Sequence, residues 1–177
     1  MNQQYKLPIG IQTFSHIRLG GYYYVDKTAL ALDLVNNGKH HLLSRPRRFG
    51  KSLFLDTLKE LFVGNSALFE GLNAEHHWDW STKYTVLRFS FGSHYYTNRQ
   101  ALDESLNVQL THQETELGFK PQFKDTCKRF ADLIVRANKQ SGQPVVILID
   151  EYDKPILDAI NLPDIAKENR HYLSRFY

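Results

Sequence analysis

Cysteine is nearly absent: Cys127 is the single one in 177 residues, so no disulfide can form within the chain. That excludes the disulfide-stapled class of small secreted domains and fits a reducing compartment. Long apolar runs are missing as well. The longest, "VVILI" at 145–149, is far shorter than a membrane-spanning helix requires. Residues 1–20 hold no basic start followed by an apolar stretch, so no secretory leader is expected. Charge of one sign is scarce too, and a net charge of +3 is too small to argue for a nucleic-acid coat. No internal repeat or low-complexity segment is visible. These absences predict a soluble, cytoplasmic protein without a membrane association.

What is present is enough apolar residue, 42%, for one domain with a real core over 1–177. From Asp26 the pattern turns helical, with Leu30, Leu34 and Val35 at helical spacing and Asn36-Asn37-Gly38 to end it. "HHLLS", 40–44, reads as a buried strand. After Ser52, the residues Leu53, Phe54, Leu58, Leu61 and Phe62 keep one helical face, and Gly64 closes it. Residues 65–83 read as a loop containing "HHWDW", and "TVLRFSF", 85–91, as a strand. Two helical patterns follow, one carrying Leu102, Leu106 and Leu110, the other Phe123, Cys127, Phe130 and Ile134. "PVVILIDEYD", 144–153, is an unbroken apolar strand of the kind covered on both faces, ending at acids. Asp153 is placed as an N-cap with Pro155 in the first turn behind it. A last helical pattern carries Ile165, Tyr172, Leu173 and Phe176. Strands alternating with helices predict an α/β fold with a mostly parallel sheet.

The segment 45–52 reads R-P-R-R-F-G-K-S. It fits the phosphate-loop pattern G-x-x-x-x-G-K-S/T everywhere except the first glycine, where Arg45 stands. Each matching residue has a task. Gly50 lets the backbone approach phosphates, Lys51 reaches the β- and γ-phosphates, and Ser52 offers a hydroxyl to Mg²⁺. The helix opening there aims free N–H groups and a positive end at the anion. Pro46 fixes its own φ and stiffens the turn in place of the missing glycine. Arg47, Arg48, Phe49, Gly50, Lys51, Ser52 and Leu53 form the candidate cofactor-binding segment. The competing reading is a basic loop that happens to contain GKS; Arg45, Arg47 and Arg48 are read as contacting phosphates or clamping the nucleotide, or one of them as pairing with Asp150 or Glu151 when no nucleotide is bound.

A bound Mg²⁺ needs a carboxylate at the mouth of a neighbouring strand. Asp150 directly follows five apolar residues and is the candidate metal residue together with Ser52. Glu151 is the candidate general base and Lys51 the candidate catalytic cation. Taken alone, the two acids merely end a strand; with GKS upstream, the paired reading prevails. The histidines, eight in all, include adjacent pairs His40-His41 and His76-His77, which are read as surface or packing residues. Trp78 and Trp80 are read as packing their loop onto the core. Cys127 is read as a buried structural thiol.

The stretches "LPIGIQTFSHIRLGGYYYVDKTALALDLV", "LLSRPRRFGKSLFLDTLKELFVG", "ALFEGL" and "VVILIDEYDKPI" resemble, in that order, the predicted AAA-ATPase-like proteins of bacteria and some anaerobic microbes. In that family the arginine-rich loop is the usual form of the Walker A motif, and the acidic strand end is the Walker B motif. The resemblance implies an incomplete P-loop NTPase fold, a three-layer α/β/α sandwich whose later strands are missing, with 1–177 as the N-terminal part. It implies that Tyr24, Val25 and Asp26 border the base and ribose; packed aromatics are the alternative for the tyrosines. It also implies a further strand between the two motif strands. Relatives often carry a C-terminal restriction-endonuclease-like domain, so nucleic acid is a possible partner through a nuclease domain absent here.

The expected function is ATP binding, with Mg²⁺-dependent hydrolysis in the complete domain. A truncated remnant that binds a nucleotide or a partner without turnover is the alternative, and a nucleic-acid-binding module is a third reading. Neither the driven process nor the oligomeric state is legible.

Overall fold

The computed structural model describes residues 5–44, 46 and 48–176, which divide into two compact units, one up to Tyr84 and one from Thr85.

The first unit is helical. It contains α1 (Phe14–Leu19), α2 (Thr28–Asn36), α3 (Lys51–Val63), a 3₁₀ turn (Ser66–Phe69) and α4 (Ala74–His77). The apolar stripe of α3 buries Phe54, Leu58 and Leu61, and Gly64 ends the helix in the left-handed region at φ 79°. Helix α1 lays Phe14 and Ile17 into the same core. Its first free N–H, that of Phe14, donates to the buried Asp56 carboxylate of α3 at 2.7 Å. Phe14 also packs on Phe69 and Tyr24, with ring centroids 4.9 and 5.0 Å apart.

Helix α2 forms where expected but turns a different face inward. Thr28, Ala31 and Leu32 are buried, whereas Leu30 is exposed. "TALALDLV" offers two apolar stripes at helical spacing, and periodicity alone does not choose between them. The stretch 65–83 is more regular than a loop. Trp80 packs on Phe69 at 5.0 Å and donates its indole N–H to Glu75 O at 2.9 Å, while Trp78 packs on Phe62 at 5.5 Å. The expected packing role of both tryptophans holds.

The strand expected at 40–44 does not form. Residues 40–44 carry no regular structure, and Leu42 is 71% exposed. A strand needs ladder partners for its N–H and C=O groups, and no described strand pairs with this segment.

The second unit is α/β. Strands β1 (Val86–Ser90) and β2 (Val146–Asp150) pair in parallel, in register from Val86↔Val146 to Ser90↔Asp150. Between them run α5 (Arg99–Glu116) and α6 (Thr126–Ser141), and after them α7 (Lys154–Leu157) and α8 (Pro163–Phe176). This is the α/β class with a small parallel sheet that an incomplete P-loop fold presents. Leu102, Leu106 and Leu110 of α5 are fully buried as the spacing predicts. Phe130 and Phe176 stack at 4.3 Å, and Phe89 of β1 meets both edge-on.

Phe123 lies before α6 and is exposed; Leu133 and Ala137 take the inward positions with Phe130. Cys127 is half-buried against this core, and burial raises its thiol pKa. β2 is less covered than its apolar run suggests, because Ile147 remains partly exposed. Asp153 occupies the N-cap position of α7, yet it contributes its backbone carbonyl rather than its side chain.

β1 has its second edge closed by side chains. Gln113 of α5 accepts from Arg88 N at 3.0 Å and donates to Arg88 O at 3.2 Å, and Gln109 accepts from Ser90 N at 2.7 Å. Two glutamines thus stand in for a third strand on that side.

Candidate functional site

The segment before α3 enters the helix through strained backbone. Arg48 has φ 67° and Gly50 φ 74°, both left-handed. For Gly50 this conformation is free of Cβ strain, whereas for Arg48 it costs about 1–2 kcal/mol. Gly50 O accepts the first intrahelical bond, from Phe54 N at 2.9 Å. The N–H groups of Lys51, Ser52 and Leu53 therefore have no acceptor within the helix, and the N-cap residue Gly50 has no side chain to cap them. By contrast, Asn98 caps α5 and Asp125 caps α6. A 13-residue helix that opens behind a left-handed glycine presents its positive end there, which favours an anion.

Phe49 is exposed, and Lys51, Ser52 and Leu53 are half-buried. Arg45 and Arg47 lie outside the described residues.

Beside the loop, within the first unit, is a cleft of about 290 Å³. Its walls are mainly apolar, including Leu7, Ile17, Tyr23, Tyr24, Val25 and Phe54, and its rim includes Leu53, Gly50 and Lys27. Tyr24 and Val25 thus line the same cleft as Gly50. Tyr24 is also a packed aromatic: its ring meets Phe14, and its hydroxyl lies 3.4 Å from Thr57 Oγ1. Burial pushes the Tyr24 phenol above its ordinary pKa.

Asp26 does local work instead of lining the cleft. Its Oδ1 accepts from Thr28 N at 2.8 Å and Thr28 Oγ1 at 2.7 Å, and its Oδ2 accepts from Asn73 N at 2.8 Å. Thr28 Oγ1 in turn accepts from Ala74 N at 3.0 Å. One carboxylate thereby fixes the starts of α2 and α4. Burial acts to raise its pKa, but the hydrogen bonds from Asn73 and Thr28 outweigh that and leave it below the ordinary carboxylate value.

In the second unit, β2 ends on Asp150, half-buried and opposite Ser90. Phe91 N donates to Asp150 O at 3.1 Å, which extends the pairing by one bond. Glu151 follows in the left-handed region at φ 53°, an unusual backbone for a non-glycine residue and one found often at functional sites. Its carboxylate lies over Gly92. Lys154 of α7 donates to His94 O and Asp158 Oδ2, both at 2.6 Å, and Asp158 accepts from Tyr96 N at 3.2 Å. These bonds hold the segment after β1 against the segment after β2. Sequence reasoning missed Gly92, Lys27 and the two edge glutamines, because none belongs to a periodic pattern.

The sequence profile of the family described as Predicted AAA-ATPase matches residues 8–177. The chain belongs to the predicted AAA-ATPase family. A curated relative from Azotobacter chroococcum mcd 1, described as "Uncharacterized protein in vnfD 5′region", is 53% identical over 173 residues. That alignment takes in 97% of this chain and 34% of the relative, so the chain spans about a third of the relative's length. No solved structure matches. The family match covers both the phosphate loop and the acidic strand end of this predicted AAA-ATPase. Among the described residues, no helix is long and apolar enough to cross a membrane.

Proposed function

We propose that this predicted AAA-ATPase binds ATP with Mg²⁺ at the start of α3, and that its complete domain hydrolyses it. The observation that carries the reading is the start of α3 directly behind left-handed Gly50, with Lys51 and Ser52 in its first turn. The adjoining apolar cleft of about 290 Å³ has the size and lining that a flat heterocycle needs.

The donor set suits the group. The N–H groups of the first turn and the Lys51 ammonium complement phosphate oxygens. The Ser52 hydroxyl is a hard oxygen donor, the kind Mg²⁺ prefers. When bound, Mg²⁺ offsets the charge of the phosphates and orients them. Lys51 would hold the β- and γ-phosphates, and Leu53 and Phe49 would flank the bound nucleotide.

Calorimetric titration of the 177-residue chain with Mg²⁺-ATP tests the binding half. Wild type is expected to bind, and Lys51→Ala to lose roughly a hundredfold or more in affinity. Equal affinity in the two proteins removes Lys51, and with it this site, from the proposal.

A further inference from the structure

The rim of the cleft holds a second cation that the phosphate-loop pattern does not include. Lys27, at the N-cap position of α2, lines the cleft together with Gly50. A Cβ placed on Gly50 would lie 4.0 Å from Lys27 Nζ. The lysine reaches this spot because Asp26 and Thr28 on either side of it fix the start of α2 to Asn73 and Ala74. Among the described residues its ammonium makes no ion pair with a carboxylate. The rest of the cleft wall is largely apolar, so the charge stands where an apolar surface gives way to the phosphate loop.

We infer that Lys27 is a nucleotide-binding residue that contacts the α-phosphate. The inference rests on the nucleotide reading of the site and deepens it. A base in the apolar cleft and terminal phosphates on Lys51 leave the α-phosphate between them, beside Gly50 and within reach of the Lys27 ammonium. The two lysines therefore divide the anion: Lys27 takes the phosphate nearest the sugar and Lys51 the distal ones. Lys27 is a specificity element as well, because it rewards a nucleotide over a bare nucleoside even when only one phosphate is present.

The experiment titrates AMP, ADP and ATP into wild type, Lys27→Met, Lys27→Arg and Lys51→Met chains, with thermal melting to confirm folding. Methionine keeps the aliphatic stem and removes the charge. Lys27→Met is expected to weaken all three ligands by a similar factor, roughly tenfold, the scale of one charge-assisted hydrogen bond. Lys27→Arg is expected to restore most of the loss. Lys51→Met is expected to weaken ADP and ATP while leaving AMP close to wild type.

If Lys27→Met binds all three as wild type does while Lys51→Met fails on ATP, Lys27 has no such role and the nucleotide site stands. If Lys27→Met weakens ATP but not AMP, its contact is to a distal phosphate and the assignment is wrong. If wild type binds none of the three, the nucleotide reading and this inference fall together. Should Lys27→Met melt well below wild type, Lys27→Arg decides: weak AMP binding by a folded Lys27→Arg chain overturns the assignment.

Discussion

The Glu151 carboxylate lies directly over Gly92: a Cβ built on that glycine would stand 3.3 Å from both the carboxyl carbon and Oε2 of Glu151. The glycine sits just past β1 and the glutamate just past β2, at the same end of a parallel pair. Absence of a side chain on one strand exit thus makes room for the acid on the other. Glu151 holds this place with its backbone at φ 53°, a conformation that strains a non-glycine residue.

That strain is measurable. Replacing Glu151 by Gly removes the left-handed penalty and is expected to stabilise the second unit by about 1 kcal/mol. Glu151→Ala keeps a Cβ and is expected to gain nothing. Urea unfolding followed by far-UV circular dichroism compares them. A glycine variant no more stable than the alanine variant shows that the backbone is unstrained.

Arg129 and Glu114 form a buried ion pair between α6 and α5, with Arg129 donating also to Asn107 and, at 2.9 Å, to Thr111 Oγ1. Arg129→Met leaves a carboxylate without its cation in a dry site. The expected loss is about 3 kcal/mol, since an orphaned buried charge is costly. The double variant Arg129→Met with Glu114→Leu is expected to recover most of it, which distinguishes a stranded charge from lost packing. No recovery in the double variant argues against the stranded charge.

Asp26 gives the first unit a contribution to its acid stability. Its carboxyl pKa is lowered on folding. Protons therefore bind the unfolded form more readily, and the contribution is fully present above the unfolded value, about 3.9. It is lost as pH falls through the lower folded value. Asp26→Asn is expected to be less stable than wild type at neutral pH, with the gap closing below about pH 4. Trp78 and Trp80, the two tryptophans of the chain, both belong to the first unit, so their fluorescence follows that unit. A gap independent of pH would assign the effect to shape rather than charge.

Gln109 and Gln113 close the outer edge of β1. Replacing both by Ala leaves the N–H groups of Arg88 and Ser90 without those acceptors. A loss of about 1–3 kcal/mol is expected, together with concentration-dependent association as the edge becomes available for pairing. Light scattering across a dilution series checks the second effect; a monodisperse double variant of unchanged stability removes the glutamines from this role.

The two motifs of the candidate site were legible because the residues of each are consecutive in the chain. "FGKS" is local: Gly50, Lys51 and Ser52 specify both the turn and the opening of α3. "VILID" is local in the same way, since an apolar run ending in acid sets the strand and its mouth. Strand 40–44 failed where these succeeded, because a strand takes its hydrogen bonds from elsewhere in the chain and its own residues do not supply them.

The sequence by itself determined the helices of the core stripes, the parallel α/β class and the two motifs, since each follows from short-range spacing of residue types. Only the tertiary structure decided which stripe of α2 faces inward, that Asp26 ties two helix starts together, that glutamines seal β1, and that Lys27 stands beside Gly50. Those four depend on which residues far apart in the chain come to share a neighbour. That choice is made by packing and hydrogen-bond satisfaction over the whole unit, which no window of the sequence contains.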